Sequence, residues 1–160
     1  VRLPDPNKEY EHEAELGVVI DRQANNVDSS EAMEYVRGYT AFNDLSNRTD
    51  QRREQNWVRG KAFDGAAPMG PVLVPPGTVS EDAEITCRVN GELRQHSRRS
   101  EMIFSIPELI EEITAYLTLE AGDVIATGTP PGVSPVKPGD RVEVSIEGIG
   151  TLRTTIADTA

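Results

Sequence analysis

One cysteine, Cys87, stands in 160 residues. No intrachain disulfide can form, so a reducing cytoplasm is the expected compartment. No apolar run approaches the ~20 residues that span a membrane, and no signal peptide opens the chain, so no membrane partner is expected. Lysine is nearly as scarce as cysteine. Lys8, Lys61 and Lys137 are the only three, and arginine supplies the other positive charges. Acidic residues outnumber basic ones by 27 to 16, a net charge of −11. Such a surface repels phosphates. The nearest approach to a basic patch, Arg48 with Gln51-Arg52-Arg53, is too short to offset it, so nucleic acid is not an expected partner. An acidic, lysine-poor composition fits a salt-loving source, where net charge aids solubility. Arginine-rich coding and ordinary acidic proteins share that composition. The opening "VRLPDPN" carries no initiating Met, and the expectation is an upstream segment outside these residues.

The length suits one domain with a sizeable core, residues 1–160. Residues 11–20 are expected to form the first strand. "DSSE" from Asp28 to Glu31 resembles a capping box, which predicts a short helix to Tyr35 or Val36 ended by Gly38. "YTAFND" reads as a strand, "LSNRTDQRREQN" as a loop or short helix, and "GPVLVPPG" as a brief strand. Ile85, Cys87 and Val89 alternate before Asn90-Gly91, a strong hairpin turn. Ser105 and Glu108 open a helix whose apolar stripe is Ile106, Leu109, Ile110, Ile113 and Leu117. "GDVIATG" adds a strand ending in a Gly/Pro loop. Val142, Val144 and Ile146 alternate in the first of two further strands. There is no repeat and no linker. Many strands with a few short helices predict a β-rich α+β fold.

The stretch "YEHEAELGVVI" poses the chemical question. In a strand the side chains alternate, so Glu13, Glu15, Gly17 and Val19 share one face and Leu16, Val18 and Ile20 the other. The two carboxylates then lie about 7 Å apart, two residues at ~3.3 Å rise each. The plain alternative is a solvent-facing polar edge. Asp44, at the end of a predicted strand, is a candidate third carboxylate. Three converging carboxylates raise one another's pKa, and a hard divalent cation such as Mg²⁺ removes that conflict while keeping positions open for water or substrate.

Seven blocks then occur in an order that resembles the fumarylacetoacetate hydrolase family: "HEAELGVVI", "YVRGYTAFNDLSNRTDQ", "RGKAFDGAAPMGP", "VNGELRQ", "MIFSIPELI", "LEAGDVIATGTPPGV" and "GDRVEVSIEGIG". They run from about Tyr10 to Leu152. The closest likeness is to 2-hydroxyhepta-2,4-diene-1,7-dioate isomerase and acylpyruvase-type members. The resemblance implies the family's catalytic (C-terminal) domain, a mixed β-roll or sandwich, as a homodimer. It implies Mg²⁺, with Mn²⁺ or Ca²⁺ in some members, and a small 2-oxo acid or its enol as substrate. By that resemblance Glu13, Glu15 and Asp44 are the metal ligands. Lys61, whose plain alternative is a surface lysine, is the catalytic cation beside the metal. Arg48 and Gln51 face the substrate, Arg48 pairing a carboxylate through its fork of donors. Gly128 and Thr129 of "TGTPPG", otherwise a plain turn, hold the substrate's 1-carboxylate through their N–H groups and the Thr129 hydroxyl.

His12 is read as structural, on the strand face opposite Glu13, and His96 as exposed. Asp64 is expected to partner Lys61 or backbone N–H groups. Hydrolytic members carry a His–Glu pair on a lid upstream of the first ligand motif, and the nine residues before Tyr10 hold none. Isomerisation or decarboxylation through an enolate therefore ranks ahead of C–C hydrolysis of an acylpyruvate. A non-catalytic metal-binding relic is the alternative from another class.

Overall fold

The computed structural model describes residues 1–157. The strands are β1 (Tyr10–Glu11), β2 (Ala14–Ile20), β3 (Val36–Asn43), β4 (Ser46–Asn47), β5 (Met69–Val74), β6 (Glu84–Val89), β7 (Glu92–Arg98), β8 (Val124–Ala126), β9 (Pro135–Val136), β10 (Arg141–Ile146) and β11 (Gly150–Thr155). Among the described residues three short α-helices join them: α1 (Arg48–Gln51), α2 (Val58–Lys61) and α3 (Ile106–Thr114). The strands form three antiparallel sheets, ordered β4-β1-β9, β11-β10-β6-β7 and β5-β3-β2-β8. A parallel bridge joins Arg2 to Ala157. The two four-stranded sheets pack on each other, β10 and β11 against β3 and β6 against β2. Between them lies one apolar core that includes Leu16, Val18, Ile20, Tyr39, Cys87, Val144 and Ile156. The result is the expected β-rich α+β fold.

The expected first strand, 11–20, is two strands in different sheets. β1 pairs with β4 and β9, whereas β2 pairs with β3 and β8. The chain leaves one ladder and joins the other at His12-Glu13. There the Asn43 side chain replaces a ladder partner, its Oδ1 accepting from the Glu13 N–H at 3.1 Å. β2 is also not half-solvated. Leu16, Val18 and Ile20 are buried on one face, and Glu13 and Glu15 are buried too.

The predicted helix after Asp28 is only a 3₁₀ turn, Ala32–Tyr35. The Asp28 carboxylate accepts instead from the backbone and hydroxyl of Ser30, a local turn that competes with helix capping. Gly38 does not end a helix. It sits inside β3, where a Cβ would collide with the Val74 carbonyl, so β3 and β5 approach closely only because it is glycine.

Other elements follow the pattern. Asn90 (φ 53°) and Gly91 (φ 86°) take the left-handed conformation that a tight hairpin between β6 and β7 needs. Ser105 and Glu108 close the capping box of α3. That helix stops at Thr114, and Leu117 beyond it is exposed, so the buried stripe is shorter than the sequence pattern. β4, α1, α2 and β9 carry no periodic signal, being two to four residues long.

Candidate metal centre

The breaks in the chain position the site. Glu13 lies in the gap between β1 and β2, Glu15 is the second residue of β2, and Asp44 follows β3. The Asp44 N–H bonds the Glu13 carbonyl at 2.9 Å, which ties the two ligand segments together. Each of the three carboxylates offers an oxygen, and these oxygens lie within 4.8 Å of one another. Glu15 is 3% and Glu13 7% exposed, so neither belongs to a solvent-facing edge.

Lys61, at the end of α2, is not a surface lysine. Its Nζ donates to Glu13 Oε2 (2.6 Å), Asp44 Oδ2 (2.5 Å) and Ser46 Oγ (2.7 Å). Arg48, opening α1, donates from Nε to Glu11 Oε2 (2.6 Å), from Nη1 to Gln51 Oε1 (2.7 Å) and from Nη2 to Glu13 Oε1 (2.5 Å). Asn47 caps α1 by accepting from the Asp50 N–H, and this turn aims Arg48 at the carboxylates. Gly60 in α2 is required by proximity, because a Cβ there would meet the Gln51 side chain at 2.8 Å.

The charges do not balance around Glu15. Its carboxyl is pushed up to about 7 by burial, with Asp44 and Glu13 adding to the rise and the Gly128 N–H and Lys61 opposing it. Burial also raises Asp44, against its bond to Lys61. Glu13 stays below the usual range: burial would raise it, but Lys61 and then Arg48 outweigh that. Burial would lower Lys61, yet Asp44 and Glu13 hold it above its ordinary value, so it remains an ammonium. Two buried carboxylates, Glu13 and Glu15, and the half-buried Asp44 thus face one ammonium and one guanidinium. An all-oxygen, anionic set of this kind is what Mg²⁺ or Mn²⁺ requires, so the residues fit a divalent cation.

The expected site residues gather in one place. A pocket of about 410 Å³ is lined by Glu13, Glu15, Asp44, Arg48, Gln51, Lys61, Gly128 and Thr129, with Trp57 and Ala126. Within it the Gly128 N–H donates to Glu15 Oε2 at 2.8 Å. The Thr129 hydroxyl donates to the Ala14 carbonyl at 2.9 Å. The guanidinium of Arg48 is bonded to three protein acceptors.

Asp64 is a correction. It is exposed in the turn after α2, and the partners of Lys61 are Glu13, Asp44 and Ser46. α2 points the Lys61 amine back to the carboxylates before the chain turns outward. His12 is fully buried, bonded to Gln95 Oε1 and Ser134 Oγ at 2.9 Å each, and His96 is exposed on β7. Glu11, Ser46 and Gln95 were not singled out from the sequence. Their roles come from partners far along the chain. The one available signal was a glutamine at an inward strand position, Gln95 opposite Cys87.

A model of the fumarylacetoacetate (FAA) hydrolase C-terminal domain matches residues 1–157. Oxaloacetate tautomerase of Bacillus subtilis is 43% identical over 157 residues, 92% of this chain and 52% of the relative. The crystal structure of 5-carboxymethyl-2-hydroxymuconate delta-isomerase from Mycobacterium smegmatis superposes with a TM-score of 0.94 at 40% identity, over 100% of this chain and 63% of that one. Fumarylpyruvate hydrolase from Pseudomonas aeruginosa, solved in complex with Mn²⁺ and pyruvate, gives a TM-score of 0.92 at 33% identity, over 99% of this chain and 70% of that one. The chain therefore spans between about half and 70% of these three proteins.

Proposed function

The chain belongs to the fumarylacetoacetate hydrolase family, and from that premise we propose that it is the catalytic domain of a divalent-metal-dependent enzyme that shifts a proton or double bond in a small 2-oxo dicarboxylate or its enol. One observation carries the proposal: two buried carboxylates and a half-buried third whose oxygens lie within 4.8 Å of one another around an ammonium that bonds two of them. Glu13, Glu15 and Asp44 would hold the ion, Mg²⁺ by preference or Mn²⁺. A cation there would supply Lewis acidity at the substrate's 2-oxo oxygen.

The chain's own groups do the rest. Lys61 keeps its proton on Nζ and places a fixed positive charge beside the carbonyl oxygen, where negative charge grows as the C–H proton leaves. Arg48, on the pocket wall, holds Glu13 and Gln51 in place through its guanidinium. The Thr129 backbone N–H, on the loop after β8, is the donor proposed for the substrate's 1-carboxylate.

Isomerisation ranks ahead of hydrolysis because, beyond this electron sink, it asks only that the proton pass to solvent water and return to another atom of the same substrate. Hydrolysis also needs a base that activates water, and the two histidines of the chain lie elsewhere, His12 behind β2 and His96 exposed. The tautomerase and the isomerase among the relatives support the same order. Cytoplasmic residence and a homodimer belong to the same proposal; the dimer is tested by light scattering.

The deciding assay follows enol–keto conversion of oxaloacetate by ultraviolet absorbance, beside a panel of acylpyruvates, with Mn²⁺ and with EDTA. Metal-dependent acceleration of the oxaloacetate conversion is expected. Cleavage of acylpyruvates without it would select the hydrolase. Metal binding with neither activity would select a non-catalytic relic.

A further inference from the structure

Gln95 is 1% exposed and makes four hydrogen bonds whose directions are fixed by backbone groups at both ends. Its Oε1 accepts from the Ala14 N–H at 3.1 Å, an unambiguous donor. Its Nε2 donates to the Pro130 carbonyl at 2.7 Å, an unambiguous acceptor. The orientation of the amide follows. The second Nε2 proton goes to Thr129 Oγ1 at 2.8 Å, and His12 Nδ1, 2.9 Å from Oε1, must carry a proton to donate. Thr129 Oγ1 therefore accepts from Gln95, and its own proton goes to the Ala14 carbonyl at 2.9 Å. A hydroxyl has one proton, so none is left for a ligand.

Ala14 sits between Glu13 and Glu15, and Gly128-Thr129, in the loop that continues to Pro130, forms the other wall of the pocket. Gln95 thus clamps the loop to the ligand strand from behind. We propose that Gln95 is a positioning residue that sets the Gly128–Pro130 loop and, with the hydroxyl proton already given to Ala14, leaves the Thr129 hydroxyl only an acceptor toward a ligand, so that the site receives a substrate carboxylate on the Thr129 backbone N–H and not on its hydroxyl. The consequence is one of specificity. Whatever meets the Thr129 oxygen must offer a proton, as an enol or a water does, while a carboxylate oxygen placed there is repelled. This rests on the proposed binding of a 2-oxo acid in the pocket.

The test is a double-mutant cycle on pyruvate binding, measured by calorimetry at saturating Mn²⁺, for Gln95→Met, Thr129→Val and the pair. If Thr129 acts through Gln95, each single change weakens pyruvate by about tenfold or more, the scale of one hydrogen bond to a charged group, and the pair weakens it no further. Affinity for Mn²⁺ alone stays within about threefold in Gln95→Met, because Gln95 touches no ligand carboxylate. Unchanged pyruvate affinity in Gln95→Met overturns the proposal. So do losses that multiply in the pair, since Thr129 would then donate to the ligand directly.

The metal-free wild-type protein gives a second readout that needs neither ligand nor the Gln95 variant. In ¹⁵N spectra the Gln95 side-chain amide protons should exchange slowly with water and shift in Thr129→Val. Rapid exchange overturns the clamp. Wild-type protein that binds no pyruvate with Mn²⁺, while those amide protons remain protected, refutes the proposed function and leaves the clamp standing.

Discussion

Lys61→Met removes an ammonium that bonds Glu13, Asp44 and Ser46 and leaves an apolar chain of similar length. In the metal-free protein two effects follow. The ion pairs are lost, and the carboxylates face each other with less compensation. The side chains are 26% (Lys61), 9% (Glu13) and 20% (Asp44) exposed, so the loss lies between the ~0–1 kcal/mol of exposed pairs and the ~3–5 kcal/mol of fully buried ones. About 2 kcal/mol is expected, which lowers Tm by about 4–8 °C in a chain of this size. A surface lysine would cost less than ~0.5 kcal/mol. Mn²⁺ should bind the variant as tightly as the wild type or more tightly, because the amine and the ion draw on the same carboxylates. Added Mn²⁺ should therefore recover most of the lost Tm. Turnover should not recover: kcat falls about 10²–10³-fold, as when one donor to a developing oxyanion is removed, and Lys61→Arg restores only part because the planar guanidinium differs in shape and reach. The assays are thermal melts with and without Mn²⁺, calorimetric Mn²⁺ titration and oxaloacetate kinetics. A metal-free Tm within 1 °C of wild type, or near-normal turnover, would refute the role given to Lys61.

Glu13→Gln keeps the shape and removes the charge. It should weaken Mn²⁺ at least about tenfold, ~1.4 kcal/mol, and calorimetry showing wild-type affinity would remove Glu13 from the ligand set. The Glu15 carboxyl titrates at about 7 in the folded chain against 4.5 ordinarily. The folded state then holds the extra proton, so the contribution of Glu15 to stability declines by roughly 3 kcal/mol as pH rises from 4.5 to 7. Metal must displace that proton, so Mn²⁺ affinity should climb between pH 5 and 7 and level off above; a flat profile contradicts it. With a net charge of −11, thermal melts should rise with KCl as the Debye length shrinks from about 10 Å at 0.1 M to about 3 Å at 1 M, and an unchanged Tm retires the salt-adapted reading. Burial pushes the Cys87 thiol up to about 12, so native protein should resist iodoacetamide at pH 8 while unfolded protein reacts; native labelling would place Cys87 at the surface.

What the sequence determined by itself was whatever depends on neighbours a few residues apart. The alternation of Ile85, Cys87 and Val89, the Asn90-Gly91 turn and the Ser105–Glu108 box specify β6, β7 and the start of α3 locally, because turn geometry and capping are short-range. The candidate carboxylates Glu13, Glu15 and Asp44 were legible from motif order and charge. Tertiary structure decided the rest. Whether two glutamates on a strand meet solvent or a buried pocket depends on what covers that face, and here α1, α2 and the loop after β8 cover it. The break between β1 and β2 depends on Asn43, thirty residues away. The hydrogen-bonding polarity of Thr129 depends on Gln95, thirty-four residues away on another sheet. No local periodicity encodes such pairings, since a hydroxyl's single proton is assigned only when the fold brings its donor and its acceptor together.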